Sequence, residues 1–328
     1  MVWLYSKRVA MKEERHIRSS FANVIKRMRI RSCLTCLILV LFCVTVTVDA
    51  QVKKMKIYIS VDMEGVVGVA TADQLTPAGF EYERFREFMT KEANAAIEAA
   101  FAAGATEITV SDSHGNAENL LIEKMPKNVL VVRGFPRPLG MMQGMDETFD
   151  GVIFIGYHAS TTNPEGVRAH TFSSARLADV RLNNASMTEG SFNAAVAGHY
   201  NVPVIMISGD DAAVNEVTSA VGDIEGAVVK WNYGFHSTKT MMPEAAYDLI
   251  RKRVKTAVGR IGDFKPYKIK EPVQLDVRFK NYRPPEILSY LSNVERTDSH
   301  SIRFVGKDMI EVSKFLEFVT TYDPGLEP

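Results

Sequence analysis

Residues 55–68 read MKIYISVDMEGVVG, an alternating apolar stretch that breaks into two carboxylates and a glycine. Ile57, Ile59 and Val61 recur at every second residue, which predicts a β-strand with one buried face. Asp62 and Glu64 have the same spacing, so both side chains can point the same way from the end of that strand. Two carboxylates this close need a cation, or one of them keeps its proton. The alternative is a solvated strand end with a capping aspartate.

Strand and helix patterns alternate along the rest of the chain. Strands are predicted at residues 107–110, 129–132, 151–156, 202–208 and around 228–229, and helices at 81–103, near 120, at 189–200 and at 243–258. Such alternation is typical of an α/β fold with a mainly parallel sheet flanked by helices. A short hairpin around Asn184 interrupts it.

The end of the chain has a different composition. Residues 264–272 are rich in lysine and proline, and strand, helix, strand and helix patterns follow at 273–279, 285–294, 301–305 and 309–322. We interpret this as a small C-terminal α+β region packed on the main sheet. The predicted organisation is therefore a cleaved signal peptide at 1–50, an α/β domain at 51–263 and a small α+β extension at 264–328.

The N-terminal segment has the order of an export signal. A basic region ends at Arg31, an apolar run covers residues 33–48, and Val48-Asp49-Ala50 offers small residues for cleavage. We expect an exported protein, periplasmic or extracellular, without stable membrane insertion after cleavage. Two alternatives are an uncleaved anchor, although the apolar run is short for a membrane span, and a translation start at Met28.

Charge and cysteine content exclude several classes of function. The whole chain has 39 basic and 39 acidic residues, of which residues 1–50 hold nine and three, leaving 30 basic and 36 acidic residues in the remainder. This mildly acidic body argues against a nucleic-acid partner. All three cysteines, Cys33, Cys36 and Cys43, lie in the signal segment. The mature chain would therefore have neither disulfides nor thiol chemistry.

Several possible metal ligands follow predicted strands. His114 and His158 each lie just beyond one, His170 lies in the loop after His158, and Glu189 begins a predicted helix. Functional groups gather at the carboxyl ends of strands in open α/β sheets. Together with the pair after the first strand, these residues suit zinc or a similar divalent ion. Singly, each has a structural explanation as a turn, core, loop or first-turn residue.

These motifs, taken together, resemble a known family. SVDMEG at 60–65, SDSHG at 111–115, GYHA at 156–159, the later His170, the Glu189…Asn193 pair and GDD at 209–211 are similar in order and spacing to the D-aminopeptidases of the DppA type. The resemblance extends from Met55 to near Val258. It implies an α/β fold, two zinc ions per chain and a ring-like homo-oligomer, such as a decamer, that encloses its active sites.

The resemblance also implies roles for individual residues. The implied zinc ligands are Asp62, Glu64, His114, His158 and Glu189, with Asp62 bridging the two ions, and His170 is the implied catalytic residue. The implied reaction is metal-assisted removal of N-terminal D-amino acids from short peptides or amides. The loop between His158 and His170 is one residue longer than the family pattern, and Gly190-Ser191 replaces the expected Leu-Gly. The region after residue 264 is expected to lie outside the family core.

Two alternative functions are compatible with the same residues. One is a different binuclear-metal amidase or esterase with other substrates. The other is an exported, non-enzymatic module that binds metal or peptide. The complete ligand set argues against the second, because a chain that had lost catalysis would be expected to have lost ligands.

Overall fold

The computed structural model describes residues 21–28 and 54–323. Residues 21–28 are helical and belong to a separate unit of residues 1–53, whereas residues 54–328 form the main compact unit. The predicted apolar run and cleavage site lie outside the described residues. No helix among the described residues has both the length and the apolar character needed to cross a membrane.

The main unit is built on two sheets. Its strands, in chain order, are β1 Lys56–Val61, β2 Glu107–Asp112, β3 Leu130–Val132, β4 Gly151–Tyr157, β5 Leu177–Leu182, β6 Ala185–Ser186, β7 Val204–Asp210, β8 Glu225–Gly234, β9 Ser237–Thr240, β10 Val273–Phe279, β11 Val294–Arg296 and β12 Ser301–Gly306. The helices are α1 Tyr82–Ala102, α2 Glu189–His199, α3 Asp211–Val221, α4 Pro243–Gly259, α5 Arg283–Leu288 and α6 Met309–Thr321.

The larger sheet has the order β3-β2-β1-β4-β7-β8-β9 and is parallel except at the β9 edge. This confirms the predicted mainly parallel sheet. Strand β1 lies between β2 and β4, with Val61 in register with Asp112 on one side and Ile155 on the other. Strand order reverses between β1 and β4, and α/β sheets bind ligands at the carboxyl edge of such a reversal. Asp62 and His158 follow the two strands at this point.

Helix α1 covers part of this sheet. Its buried residues include Phe85, Met89, Ala93, Ala96 and Ala100, which recur at three- or four-residue intervals and form one apolar face. The helix ends before Gly104, whose φ of 110° lies in the region that glycine tolerates best. Both the helix and its end agree with the prediction from the sequence.

The smaller sheet joins the middle of the chain to its C-terminal region. Its order is β11-β12-β10-β5-β6, with β10 antiparallel to β5 and Val277 in register with Val180. The predicted hairpin is present, and its turn residues Asn183 and Asn184 both have positive φ. The segment after residue 264 therefore shares a sheet with the hairpin rather than packing only on the main sheet. Without β10, one edge of β5 would lack a hydrogen-bonded partner strand.

Two local predictions differ from the structure. The helix predicted at 285–294 ends at Leu288, and residues Val294–Arg296 instead form β11 beside β12. Polar residues Ser289, Ser292 and Asn293 compete for backbone hydrogen bonds and favour the earlier end. The helix predicted near residue 120 is a single 3-10 turn, Ile122–Lys124.

Backbones after β1 and at the end of β4 touch directly. The Gly65 N–H donates to the Gly156 carbonyl at 2.7 Å, and a Cβ atom on Gly65 would lie 2.0 Å from the Tyr157 carbonyl oxygen. Gly156 has a φ of 71°, and its own Cβ would lie 2.3 Å from the Asp62 carbonyl oxygen. Only glycine permits this approach at either position. The contact brings the carboxylates after β1 next to His158.

We predict that Gly65→Ala destabilises the protein by at least about 2 kcal/mol, because the new methyl group collides with backbone that cannot move independently. The measurement is the free energy of unfolding in urea. Gly259→Ala is the matched control, since nothing lies within 4 Å of its Cβ position. That control should stay within about 1 kcal/mol of wild type. Equal stabilities for both variants would contradict the predicted collision.

Candidate metal centre

The first group of site residues gathers at the ends of β1 and β2. His114 Nδ1 lies 2.9 Å from Glu64 Oε2 and 3.4 Å from Asp62 Oδ1. Asp62 directly follows β1, and His114 follows β2 by two residues. All three residues are buried, and their ligand atoms lie within 4.8 Å of one another. This spacing suits coordination of one ion by all three side chains.

A second group gathers at the end of β4 and the start of α2. His158 Nε2 lies 3.3 Å from Glu189 Oε2, and His170 Nε2 lies 3.5 Å from Glu189 Oε1. The two imidazole rings stack, with centroids 4.0 Å apart. Asp62 Oδ2 lies 3.3 Å from His158 Nε2, so Asp62 contacts both groups. The bridging position implied for Asp62 is consistent with this geometry.

Backbone carbonyls orient all three histidines. His114 Nε2 lies 2.8 Å from the Leu75 carbonyl, His158 Nδ1 lies 3.0 Å from the Ala159 carbonyl, and His170 Nδ1 lies 2.8 Å from the Arg168 carbonyl. A ring nitrogen that donates to a carbonyl carries the proton, which leaves a lone pair on the other nitrogen of the neutral imidazole. In each residue, that other nitrogen faces the carboxylates. The backbone carbonyls thus hold each imidazole ring in the orientation that a metal ligand needs.

Burial and mutual charge shift the pKa values of the site. Burial and then the charge of Glu64 raise the pKa of Asp62. Burial alone would lower the pKa values of His114 and His158, but the adjacent carboxylates outweigh it and hold both well above the ordinary value. Without a metal, the carboxylates therefore favour the charged, doubly protonated form of both imidazoles. A metal ion must displace those protons, so metal affinity should fall as pH is lowered.

The buried polar atoms fit a cation. Asp62 Oδ2 and His158 Nε2 are both fully buried, and neither makes a hydrogen bond of good geometry although the two atoms lie 3.3 Å apart. Unsatisfied buried polar atoms are rare in folded proteins, and a bound ion is a common explanation. Three carboxylates and three imidazoles supply the oxygen and nitrogen ligands that zinc accepts. The residues at this site thus fit divalent zinc.

Hydrogen bonds between side-chain hydroxyl groups connect the elements that carry the site residues. Ser60 Oγ is 2.7 Å from Ser113 Oγ and 2.7 Å from the Tyr157 hydroxyl. Asn193 donates from Nδ2 to the same tyrosine hydroxyl at 3.1 Å. These contacts link β1, β4, α2 and the loop that carries His114. They fix the relative positions of the elements that carry the metal-binding side chains.

Lys230 anchors the loop after β1 through hydrogen bonds to its backbone. Its fully buried ammonium group donates to the Glu64 carbonyl, and to the Val69 carbonyl at 2.7 Å. Burial lowers the pKa of Lys230 to about 8, against the opposing charges of Asp210 and Glu92. Glu92 accepts the Val67 N–H at 2.9 Å, and burial raises the pKa of Glu92 to about 7. Two buried ionisable groups therefore fix the backbone that positions Glu64.

A cavity of about 230 Å³ opens onto the site. It is lined by Asp62, Glu64, His114, His170 and Glu189, and beyond them by Phe135, Arg137, Met141, Phe172 and the α6 residues Glu317, Thr320 and Thr321, among others. His158 lies behind this lining and is 1 % exposed. The side chain of His170 is 15 % exposed and faces the cavity. A molecule in the cavity would therefore meet His170 rather than His158.

The structure brings together all six site residues predicted from the sequence. It also places His170 Nε2 within ligand distance of the second group, a proximity that the sequence did not indicate. Sequence reasoning missed Lys230 and Arg137. A single lysine between the apolar residues of β8 was the available signal for Lys230, whereas nothing in the local pattern around Arg137 indicates burial.

Comparisons with known proteins agree with this site. The model of the peptidase M55 family, described as D-aminopeptidase, matches residues 55–318. The D-aminopeptidase of Bacillus subtilis (strain 168) is 34% identical over 270 residues, covering 81% of this chain and 97% of the relative. The solved structure of the zinc-dependent D-aminopeptidase DppA from Bacillus subtilis, described as a self-compartmentalizing protease, is similar with a TM-score of 0.78 at 33% identity, over 81% of this chain and 97% of that structure.

The chain belongs to the D-aminopeptidase family, peptidase M55. It is thus a peptidase, a hydrolase that acts on peptide bonds. The family match ends at residue 318, about 60 residues beyond the limit expected from the motifs. The region after 264 is therefore part of the family fold, and its expected exclusion from the family core was wrong. Strand β10 explains the difference, because it completes the sheet that begins at β5.

Proposed function

We propose that this protein is a zinc-dependent aminopeptidase that removes N-terminal D-amino acids from short peptides. The carrying observation is the pair of ligand groups joined by Asp62, with two buried ligand atoms, Asp62 Oδ2 and His158 Nε2, that lie 3.3 Å apart without a hydrogen bond. The proposed ligands are Asp62, Glu64 and His114 for one ion, and His158 and Glu189 for the other, with Asp62 shared. Family membership favours this function over an unrelated amidase, an esterase or a non-enzymatic module.

Zinc held at such a site lowers the pKa of bound water to near neutrality and polarises a substrate carbonyl. The protein supplies the position and orientation of the peptide. The cavity, with its polar zinc-binding end, admits the N-terminal residue of the peptide. Glu189 also accepts the Phe172 N–H at 2.7 Å, which ties the loop carrying His170 to the site.

His170 is the proposed acid–base residue. Its Nδ1 donates to the Arg168 carbonyl, and its Nε2 lies 3.5 Å from Glu189 Oε1, in a residue that lines the cavity. Once Nε2 has taken up the proton that the attacking water releases, it can give that proton to the departing amine or donate to the developing oxyanion. The buried His158 has no such access and is proposed as a metal ligand only.

The proposed D-preference and the proposed location of the protein are supported by evidence other than the geometry of the metal site. The D-preference follows the family and the named relative. Export follows the order of basic, apolar and small residues in the N-terminal segment. Sequencing of protein from the native host should then begin near Gln51, and an intact N-terminus on cytosolic protein would contradict export.

The proposed activity predicts hydrolysis of D-alanyl-D-alanine by the zinc-loaded protein, at a much higher kcat/KM than L-alanyl-L-alanine. Removal of zinc with a chelator should abolish turnover, and added zinc should restore it. Product amino acids are quantified by chromatography. Full activity in the chelator, or no peptide hydrolysis by the zinc-loaded protein, would refute the proposed function.

His158 and His170 should separate metal binding from catalysis. His158→Ala should lower zinc content and turnover together. His170→Ala should keep about two zinc ions per chain and lose about 10²-fold or more in kcat, the scale expected for an acid–base or oxyanion group. Elemental analysis and steady-state kinetics measure both effects. His199→Ala, at the end of α2 and outside the cavity lining, is the matched control and should match wild type.

Loss of a zinc ion from His170→Ala would show that His170 is a ligand, as its 3.5 Å distance from Glu189 would allow. Full turnover with both ions retained would make His170 a loop residue without a catalytic role. Either result would overturn the proposed assignment.

We also propose a ring-like homo-oligomer that encloses its active sites, with a decamer as the expected size. The support is the solved relative, which is described as self-compartmentalizing and matches 81% of this chain. Multi-angle light scattering of the chain lacking residues 1–50 should give a mass several times that of one subunit. A strictly monomeric mass at assay concentrations would contradict the proposed assembly.

A further inference from the structure

A buried arginine lines the candidate substrate cavity. Arg137 is 7 % exposed, yet it borders the same cavity as Asp62, Glu64 and His170. The proposed zinc chemistry does not use it. Arginine remains charged in proteins, so its guanidinium is a fixed positive charge beside the site. Its hydrogen bonds and nearby charges indicate what it can bind.

Few acceptors satisfy this guanidinium. Of its five N–H donors, Nη2 donates to the Asp112 carbonyl at 3.0 Å and Nη1 donates weakly to the Val132 carbonyl at 3.4 Å. Nε is fully buried and has no hydrogen-bond partner. Both acceptors are neutral backbone groups. The described residues thus leave most of the binding capacity of the guanidinium unused.

No described residue forms an ion pair with the Arg137 guanidinium. The nearby acidic residues are Asp112 and Glu317, and Glu317 Oε1 accepts the backbone N–H of Arg137 at 3.1 Å. Burial raises the pKa of Glu317, which disfavours its charged form. Buried charges in proteins are normally paired, because an unpaired charge removed from water is costly. An anion entering the cavity would supply the missing partner.

Peptide substrates carry one anion at a defined place, the C-terminal carboxylate. A carboxylate matches the planar fork of a guanidinium and can accept two parallel hydrogen bonds from it. The cavity volume of about 230 Å³ lies below the roughly 300–1,000 Å³ of typical ligand pockets, which suits a peptide of about two small residues. In so short a peptide, the carboxylate lies only a few bonds from the bond to be cleaved.

We propose that Arg137 binds the C-terminal carboxylate of the substrate and so restricts the enzyme to dipeptides and comparably short peptides with a free C-terminus. This inference rests on the proposed aminopeptidase function. Arg137 is the specificity-determining residue for peptide length, whereas the zinc-binding residues act at the N-terminal residue. The C-terminal helix α6 contributes Glu317, Thr320 and Thr321 to the same cavity and so helps to limit its size.

The test compares D-alanyl-D-alanine with D-alanyl-D-alaninamide, which lacks only the carboxylate charge. Zinc-loaded wild-type protein should show a kcat/KM about 10- to 100-fold higher for the acid, the range that hydrogen bonds to charged groups give. The difference should lie mainly in KM, because the carboxylate takes no part in bond cleavage. Equal kcat/KM values for the two peptides would overturn the inference without any variant.

Substitution of Arg137 tests the residue itself. Arg137→Met, confirmed to be folded and to hold wild-type zinc, should lower kcat/KM for the acid to the level of the amide and leave the amide little changed. Arg137→Lys should keep part of the preference, because it retains the charge but not the fork. Arg133→Met, an exposed arginine four residues earlier that does not line the cavity, is the matched control. An unchanged acid-to-amide ratio in Arg137→Met would overturn the assignment.

The outcomes also separate this inference from the proposed function. If the zinc-loaded wild-type protein hydrolyses neither peptide, the proposed function fails and the role of Arg137 fails with it. If it hydrolyses both peptides equally well, the proposed function stands and only the role of Arg137 is lost.

Discussion

Burial of three carboxylates in one small volume is the constraint on which this structure depends. Asp62, Glu64 and Glu189 are each at most 6 % exposed, and Asp62 contacts a histidine beside each of the other two carboxylates. Such charges repel each other strongly when removed from water, so the folded chain needs cations between them. The positive charge of protonated His114 and His158, a form that the adjacent carboxylates favour, would serve this purpose without a metal. Zinc ions would serve it better, because each carries two charges and coordinates several ligands.

The fold meets this constraint through topology and close backbone contact. The two central strands that carry Asp62 and His158 are adjacent and parallel, and the order of the sheet reverses between them. Gly65 and Gly156 let the backbones touch. The buried Lys230 holds the loop after β1 in place through hydrogen bonds to the Glu64 and Val69 carbonyls. Stability and function are coupled here, since the same contacts that close the core also set the distances between ligands.

Local patterns in the sequence predicted much of this arrangement. Alternating apolar residues mark β1, and polar residues directly after several such strands indicate a shared edge, because parallel strands end on the same side. Pairing of β10 with β5 was not predictable in this way, since it joins segments almost a hundred residues apart. The buried states of Lys230 and Arg137 depend on the same kind of distant contact. His170 lies in an irregular loop, so its distance from Glu189 required the folded structure.

The central proposal is that two zinc ions would share Asp62 at the junction of β1, β4 and α2. The most direct measurement is anomalous X-ray diffraction at the zinc absorption edge on crystals of the zinc-loaded protein. We expect two anomalous peaks per chain, one among Asp62, Glu64 and His114 and the other beside His158 and Glu189, with Asp62 in contact with both. Absence of both peaks from the site, or zinc bound only elsewhere on the chain, would contradict the account.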